Sequence, residues 1–227
     1  MAVLNLTNVQ NEDTYIAMTT KQAGHVNPAM TVNERAAKRA FDIIVSSIVL
    51  FLVFPVMAMV AIAIKLTSEG PVLFLQERVG ENGRIFKIYK FRSMVVNAAN
   101  IKVTDEDGNE VHKTRHDPRV TKIGRIVRKT SLDELPQLIN VLMGEMSLVG
   151  PRPELPKLVA GYEDWQYERF SVPQGITGWW QINGRSDKPC HENTDQDVYY
   201  IKNYNLLLDL KILFSTIPAL LKGKGAF

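Results

Sequence analysis

From Ile43 to Ile64 the chain reads IIVSSIVLFLVFPVMAMVAIAI, a run without Asp, Glu, Lys or Arg. A helix apolar on every face needs lipid around it, or burial in a much larger protein. At about 1.5 Å per residue this run makes a helix of about 33 Å, against roughly 30 Å of bilayer hydrocarbon. It starts too late, runs too long and lacks the small-residue cleavage site expected of a secretory signal. Pro55 lies just past its middle, where proline removes a backbone hydrogen bond and kinks or breaks the helix. Ser46 and Ser47 are near enough in sequence to satisfy freed backbone groups. Arg35, Lys38 and Arg39 precede the run, and Lys65, Arg78, Arg84 and Lys87 follow it. Positive flanks mark cytoplasmic loops. Two geometries fit these residues: a re-entrant hairpin that dips in at Pro55 and returns to the same face, and a simple span with a kink.

The pattern then changes period. VLFLQERVG and GRIFKIYKFRSM alternate over residues 71–95 and predict a β-hairpin closed near Glu81-Asn82-Gly83. Asp105 to Asn109 reads as a turn in a polar insertion, without the twelve-residue ligand spacing of a calcium loop. From Arg115 to Lys129 the chain is basic, with Ile123, Ile126 and Val127 at helical spacing. That is either a solvated helix face over a core or an electropositive wall for phosphate or headgroups. Tyr204 to Leu221 is strongly apolar but carries Asp209, Lys211 and Pro218. It reads as an amphipathic helix in the membrane interface, with Lys222 and Lys224 reaching headgroups; a core helix is the competing reading. Residues 1–30 are polar and aperiodic, an extension or accessory strand.

Composition narrows the class. With 227 residues, 45% hydrophobic and 22% charged, the chain holds one substantial domain with at most an appendage, and it is not disordered. A mean hydropathy of -0.08 argues against several membrane spans. A net charge of +3 calls for no nucleic-acid partner and suits anionic small molecules or an anionic membrane face. One cysteine, Cys190, excludes a disulfide framework, and His25, His112, His116 and His191 lack metal-ligand spacing.

Three local patterns carry candidate chemistry. Ser131-Leu132-Asp133-Glu134 before an apolar run has the form of a capping box. Pro136 fits better with Asp133 as N-cap, which puts proline at a position whose N–H is unpaired anyway. The helix dipole, worth typically about 0.3–1 kcal/mol, would then hold Asp133 ionised, as a nucleophile or metal ligand needs. A cap and a functional carboxylate predict the same local shape. In Gly150-Pro151-Arg152-Pro153, prolines stiffen the backbone around a guanidinium suited to bidentate phosphate recognition; an ordinary surface turn also fits. In Gly175 to Arg185, glycines allow close backbone approach and Arg185 can meet phosphate. Trp179 and Trp180 suit base stacking, the membrane interface or a core.

The three patterns occur in this order after a basic-flanked apolar segment. With Lys38-Arg39-Ala40-Phe41-Asp42, Pro71 to Phe74, Gln76 to Gly80, Lys90 to Met94, Arg128 to Leu138 and Met146 to Glu154, they resemble the bacterial sugar transferase family. These are small monotopic polyprenyl-phosphate phosphoglycosyl transferases, and the likeness to their short form covers roughly Ala36 to Gly223. The resemblance implies an α+β fold. Residues 1–30 would be an N-terminal extension and residues 36–66 a re-entrant membrane helix-break-helix. Residues 67–227 would form a mainly helical cytoplasmic domain with a small β-hairpin and interfacial amphipathic helices, on the inner membrane. It implies transfer of a sugar 1-phosphate from a UDP-sugar to polyprenyl (undecaprenyl) phosphate, with release of UMP, to begin surface glycan assembly. Asp133 would attack the sugar-bearing phosphate and form a covalent intermediate. Glu134 would complete the dyad, deprotonating the lipid phosphate or helping to hold metal. Mg²⁺ would be bound at Asp133. Arg128, Arg152 and Arg185, with Pro151 and Pro153, would form the substrate-binding set. Lys38, Arg39, Asp42 and Pro55 would anchor the chain at the membrane, although Phe54-Pro55 replaces the Ser-Pro pair of many members. The rival readings are a nucleotide-sugar phosphohydrolase with water as acceptor, and a non-enzymatic membrane adaptor.

Overall fold

The structure is a computed structural model that describes residues 30–101, 103, 117–183 and 193–221. The N-terminal extension before residue 30, the Asp105–Asn109 turn, the four histidines, Cys190, Arg185, Lys222 and Lys224 lie outside the described residues.

Helix α1 runs Val32–Thr67 with Pro55 inside it. It begins at a capping box: Glu34 N–H donates to Thr31 Oγ1 at 3.3 Å, and Thr31 N–H donates to Glu34 Oε2 at 2.8 Å. One stripe of α1 faces protein along its length. Lys38, Asp42, Ser46, Val60 and Ile64 are buried, and Val45, Val49, Val53 and Met57 pack between them. The rest is exposed and apolar, including Ile44, Ile48, Phe51, Phe54, Met59, Ile62 and Leu66. Only 11% of its most apolar stretch is buried, which removes the core-helix reading. A hollow of about 610 Å³ opens beside Pro55, between Ser47, Phe51 and Leu142.

The predicted hairpin forms. Strand β1 (Leu73–Val79) pairs antiparallel with β2 (Ile85–Phe91), in a register matching Leu73 to Phe91 and Val79 to Ile85. A 3-10 turn at Glu81–Gly83 closes it, with Asn82 (φ 54) and Gly83 (φ 74) in the left-handed region. Helix α2 (Lys122–Lys129) buries Gly124 and Val127 and leaves Lys122, Arg125 and Lys129 exposed. A 3-10 turn, Leu132–Glu134, leads to helix α3 (Gln137–Met143). Strand β3 (Ser147–Val149) pairs in parallel with β4 (Gly175–Thr177), a pairing the local pattern does not announce. A Cβ on Gly150 would strike the Pro173 carbonyl, so glycine there permits the close approach of the two segments. Helices α4 (Pro156–Val159), α5 (Trp179–Asn183), α6 (Thr194–Lys202) and α7 (Leu206–Leu221) complete the body.

The main core gathers Phe86, Ile88, Leu138, Val141, Leu148, Val149, Tyr200 and Ile212, from β2, α3, β3, α6 and α7. The first half of α1 packs on it, while the second half packs on Phe91 and Val127. Cations fasten both ends of α1 to this one body. Lys38 Nζ donates to Asp209 Oδ2 of α7 at 2.6 Å and to the Val149 carbonyl of β3 at 2.9 Å. Arg39 donates to the Val141 and Leu142 carbonyls at the end of α3. Asp42 Oδ1 accepts from Leu148 N–H at 3.1 Å. At the far end, the Arg92 guanidinium donates to the Ser68 carbonyl at 3.0 Å and to the Glu69 carbonyl. Lys38 and Asp42, expected at the membrane surface, are therefore buried in protein and bind the helix to the domain.

Helix α7 has two faces. Leu208, Asp209, Ile212 and Leu213 pack inward, and Leu207, Leu210, Phe214 and Ile217 stand exposed at three- and four-residue spacing. The buried Asp209 is matched by Lys38, so its charge does not exclude an interfacial position.

Candidate active site

Asp133 and Glu134 sit on the short turn between two helices. Ser131 adopts a left-handed conformation (φ 55) that ends the approach from α2, and α3 begins at Gln137, behind Pro136. This corrects the expected capping geometry. Ser131 makes no cap bond, and Glu134 turns instead toward Lys90 and Arg152. Asp133 belongs to the 3-10 turn rather than capping α3.

The turn is set against β2 by Asn140, fully buried in α3. Its Oδ1 accepts from Tyr89 N–H at 3.0 Å and its Nδ2 donates to the Lys87 carbonyl at 2.8 Å. The side chain thus pairs with the strand edge as a neighbouring strand would, and Lys90 follows directly. Lys90 Nζ donates to Glu134 Oε1 at 3.1 Å. Arg152 holds the same carboxylate with both guanidinium nitrogens, Nη1 to Oε2 at 3.2 Å and Nη2 to Oε1. These side chains keep 17–27% of their surface exposed, so the cluster is open to a ligand.

The two adjacent carboxyls behave oppositely. Burial pushes Glu134 up, but the charges and hydrogen bonds of Arg152 and Lys90 outweigh it and hold the group far below the usual carboxylate range. Burial, joined by the negative charge of Glu134, pushes Asp133 up to about 6, against the opposing pull of Lys90, Arg128 and Arg152. The helix-dipole expectation for Asp133 is thus reversed in sign. Burial, aided by Arg152, pulls the Lys90 ammonium below its ordinary value, with Glu134 resisting. Among the described residues no side-chain hydrogen bond reaches Asp133.

Of the expected site residues, Arg128, Asp133, Glu134 and Arg152 come together. Pro151 and Pro153 are buried on either side of Arg152, and Arg185 lies outside the described residues. Trp179 stacks on Tyr199 at 5.1 Å, with Lys211 over its ring at 5.6 Å, so this ring is already engaged. Lys90 is the contributor that motif reading missed, although it opens the Lys90–Met94 run.

Comparison with known proteins identifies the family. The family model for bacterial sugar transferases matches residues 33–223. The chain belongs to the bacterial sugar transferase family. It is 44% identical over 201 residues to the undecaprenyl-phosphate glucose phosphotransferase of Komagataeibacter xylinus, covering 84% of this chain and 37% of that one. It is 41% identical over 205 residues to the undecaprenyl-phosphate galactose phosphotransferase of Salmonella typhimurium, covering 86% and 42%. It is 36% identical over 199 residues to the exopolysaccharide production protein ExoY of Sinorhizobium fredii, covering 84% and 88%. The chain thus spans about two fifths of the length of the first two relatives.

Proposed function

We propose that the chain transfers a sugar 1-phosphate from a UDP-sugar to polyprenyl (undecaprenyl) phosphate, releasing UMP, in two displacements through a covalent Asp133 phosphosugar. The observation that carries this reading is the pair of unlike carboxyls on one turn. Glu134 is locked to two cations, and Asp133 beside it has a carboxyl pushed to about 6. At pH 7 such a group is ionised by roughly ten to one, yet it is more basic than an ordinary aspartate.

In the first step an Asp133 carboxylate oxygen bonds to the sugar-bearing β-phosphorus. The bond from that phosphorus to the bridging oxygen breaks, and UMP leaves with the electron pair. In the second, an oxygen of polyprenyl phosphate attacks the same phosphorus and Asp133 departs as carboxylate. The acceptor is a phosphate monoester with a second pKa near about 6, so at neutral pH it is largely dianionic and needs little help from a base. That fits Glu134, whose depressed basicity suits it to orienting Arg152 and Lys90 better than to accepting a proton. Arg152, Lys90 and Arg128 supply positive charge where the diphosphate charge redistributes. Arg185 is proposed as a further phosphate or uridine contact.

Mg²⁺ is the proposed ion. Among the described residues no group of three His, Cys, Asp or Glu could cage a metal. Mg²⁺ commonly takes only one or two carboxylates plus substrate phosphates, so Asp133 with diphosphate oxygens fits. When bound it neutralises the diphosphate and polarises phosphorus.

The apolar helix is proposed to re-enter at Pro55, with the catalytic body on the cytoplasmic face of the inner membrane. Support comes from both ends of α1 being fastened to one body, by Lys38 and Arg39 at the start and Arg92 at the end. Ends tied to one body favour the same face over opposite sides of about 30 Å of hydrocarbon. The outward apolar face of α7 suits the same surface.

The test is a UMP-release screen over UDP-glucose, UDP-galactose and their N-acetylated amino counterparts, with undecaprenyl phosphate and Mg²⁺. Mass spectrometry of protein quenched without acceptor should find a sugar-phosphate adduct at Asp133, absent in Asp133→Asn. Full UMP release by that variant would end the nucleophile role. UMP release that proceeds equally with water as acceptor would favour a hydrolase.

A further inference from the structure

Four consecutive carbonyls of the loop bearing Arg152 are caught by four different donors. Pro151 O accepts from Gly175 N–H at 2.8 Å, and Glu154 O accepts from Val79 N–H at 2.9 Å. Between them, Arg152 O accepts from Arg169 Nη2 at 3.0 Å, and Pro153 O accepts from Arg78 Nη1 at 3.2 Å. Pro151 and Pro153 fix their own φ angles. The backbone is thus held at every residue while the Arg152 side chain reaches out to Glu134.

Arg169 is the unusual member. It is 0% exposed, with its guanidinium 5.8 Å from the Tyr162 ring centre and 5.7 Å from that of Phe170. It pairs with Asp197 at 2.7 Å and donates to Tyr162 Oη at 2.5 Å, and Glu154 lies 4.0 Å away. A sealed charge network of this kind is a poor route to stability, because well-packed apolar residues often serve as well or better. An apolar residue, however, cannot donate a hydrogen bond to the main chain of residue 152.

We propose that Arg169, with Arg78 beside it, is a positioning residue that fixes the main chain of Arg152 so that its guanidinium meets Glu134 and the sugar diphosphate without reordering. This rests on the phosphotransfer reading above. Neither residue touches the diphosphate itself; each acts through Arg152. The Lys variants of both keep a charge but lose the planar fork that reaches several partners at once.

A double-mutant cycle tests it. UMP release is measured per folded protein, with the folded fraction taken from thermal unfolding, for Arg169→Lys in the wild-type and Arg152→Gln backgrounds. The expected loss in kcat/KM is about 10–100-fold in the first and under about twofold in the second. Equal losses in both backgrounds, or none in the first, overturn the proposal. If Arg169→Lys does not fold, Arg78→Lys carries the same cycle. A merely structural defect would lower both backgrounds alike. The cycle is also read on Kd for UDP by calorimetry, which serves if Arg152→Gln turns over too slowly to time. Wild-type protein that releases no UMP would refute the phosphotransfer reading instead, while the cycle on UDP binding still judges the role of Arg169.

Discussion

Two carboxylate–cation clusters lie in the same domain and serve different ends. At one, Lys38 of α1 meets Asp209 of α7, with Tyr200 Oη donating to Asp209 Oδ1 at 2.7 Å and the Val149 carbonyl accepting from the lysine. The two charged side chains are 3% and 0% exposed. At the other, Lys90 and Arg152 share Glu134, all three partly open to solvent, and a second carboxyl at Asp133 stands alongside. The first joins four elements, α1, β3, α6 and α7, and leaves no room for a ligand. The second holds cations that an incoming anion can share, and a carboxyl with no hydrogen-bonded side chain among the described residues. Similar groups make a fastening where water is shut out, and an open pair of unlike carboxyls where cations and solvent both reach them.

The comparison breaks most visibly at the fastening. Asp209→Ala leaves the Lys38 ammonium buried without its partner and should cost about 3–5 kcal/mol, read by denaturant unfolding in detergent. A cost below about 1 kcal/mol would mean the knot is not sealed. At the open cluster, Glu134→Gln should cost only about 1–2 kcal/mol, since solvent screens its partners. It also removes the negative charge that raises Asp133, so the acid limb of UMP release, expected near pH 6 in the wild type, should move lower. An unmoved limb would show that Glu134 does not act on its neighbour.

Asp133→Asn sharpens the contrast by sign. A raised carboxyl means that the folded state binds the proton more tightly than the unfolded chain does. Its favourable contribution is whole below about pH 4 and is lost as pH rises through about 6. The variant, expected to lose transfer, should therefore be more stable than wild type by about 1 kcal/mol at pH 7, after screening, and equal near pH 4. Equal melting at both pH values would contradict the assignment. The smallest stability effect belongs to the outer face of α7. Phe214→Asp should change unfolding by less than about 0.5 kcal/mol while lowering partition onto anionic vesicles.

Much of this was legible beforehand, for reasons that differ by element. The apolar run of α1 and the alternating strands around Glu81–Gly83 are local signals, read from period and turn residues. The Asp133-Glu134 pair and Arg152 carried a motif, so the neighbourhood was expected. What differs is the capping logic of this turn. Proline placement favours Asp133 as N-cap over a Ser131 box, but Asp133 lies within the 3-10 turn and two long-range cations draw Glu134 away.

The order of residues alone determined the elements and the candidate carboxyls, because helix period, strand period and proline placement act over a few neighbours. Only tertiary structure decided the pairing of the three-residue strands β3 and β4, the burial of Lys38 against Asp209, and the arrival of Lys90 and Arg169 at the site. Those contacts join positions from 17 to 171 apart in the chain, where loop closure and packing, not local propensity, select the partner. The opposite protonation tendencies of Asp133 and Glu134 arise the same way. Adjacent carboxyls differ only through what folding sets beside each.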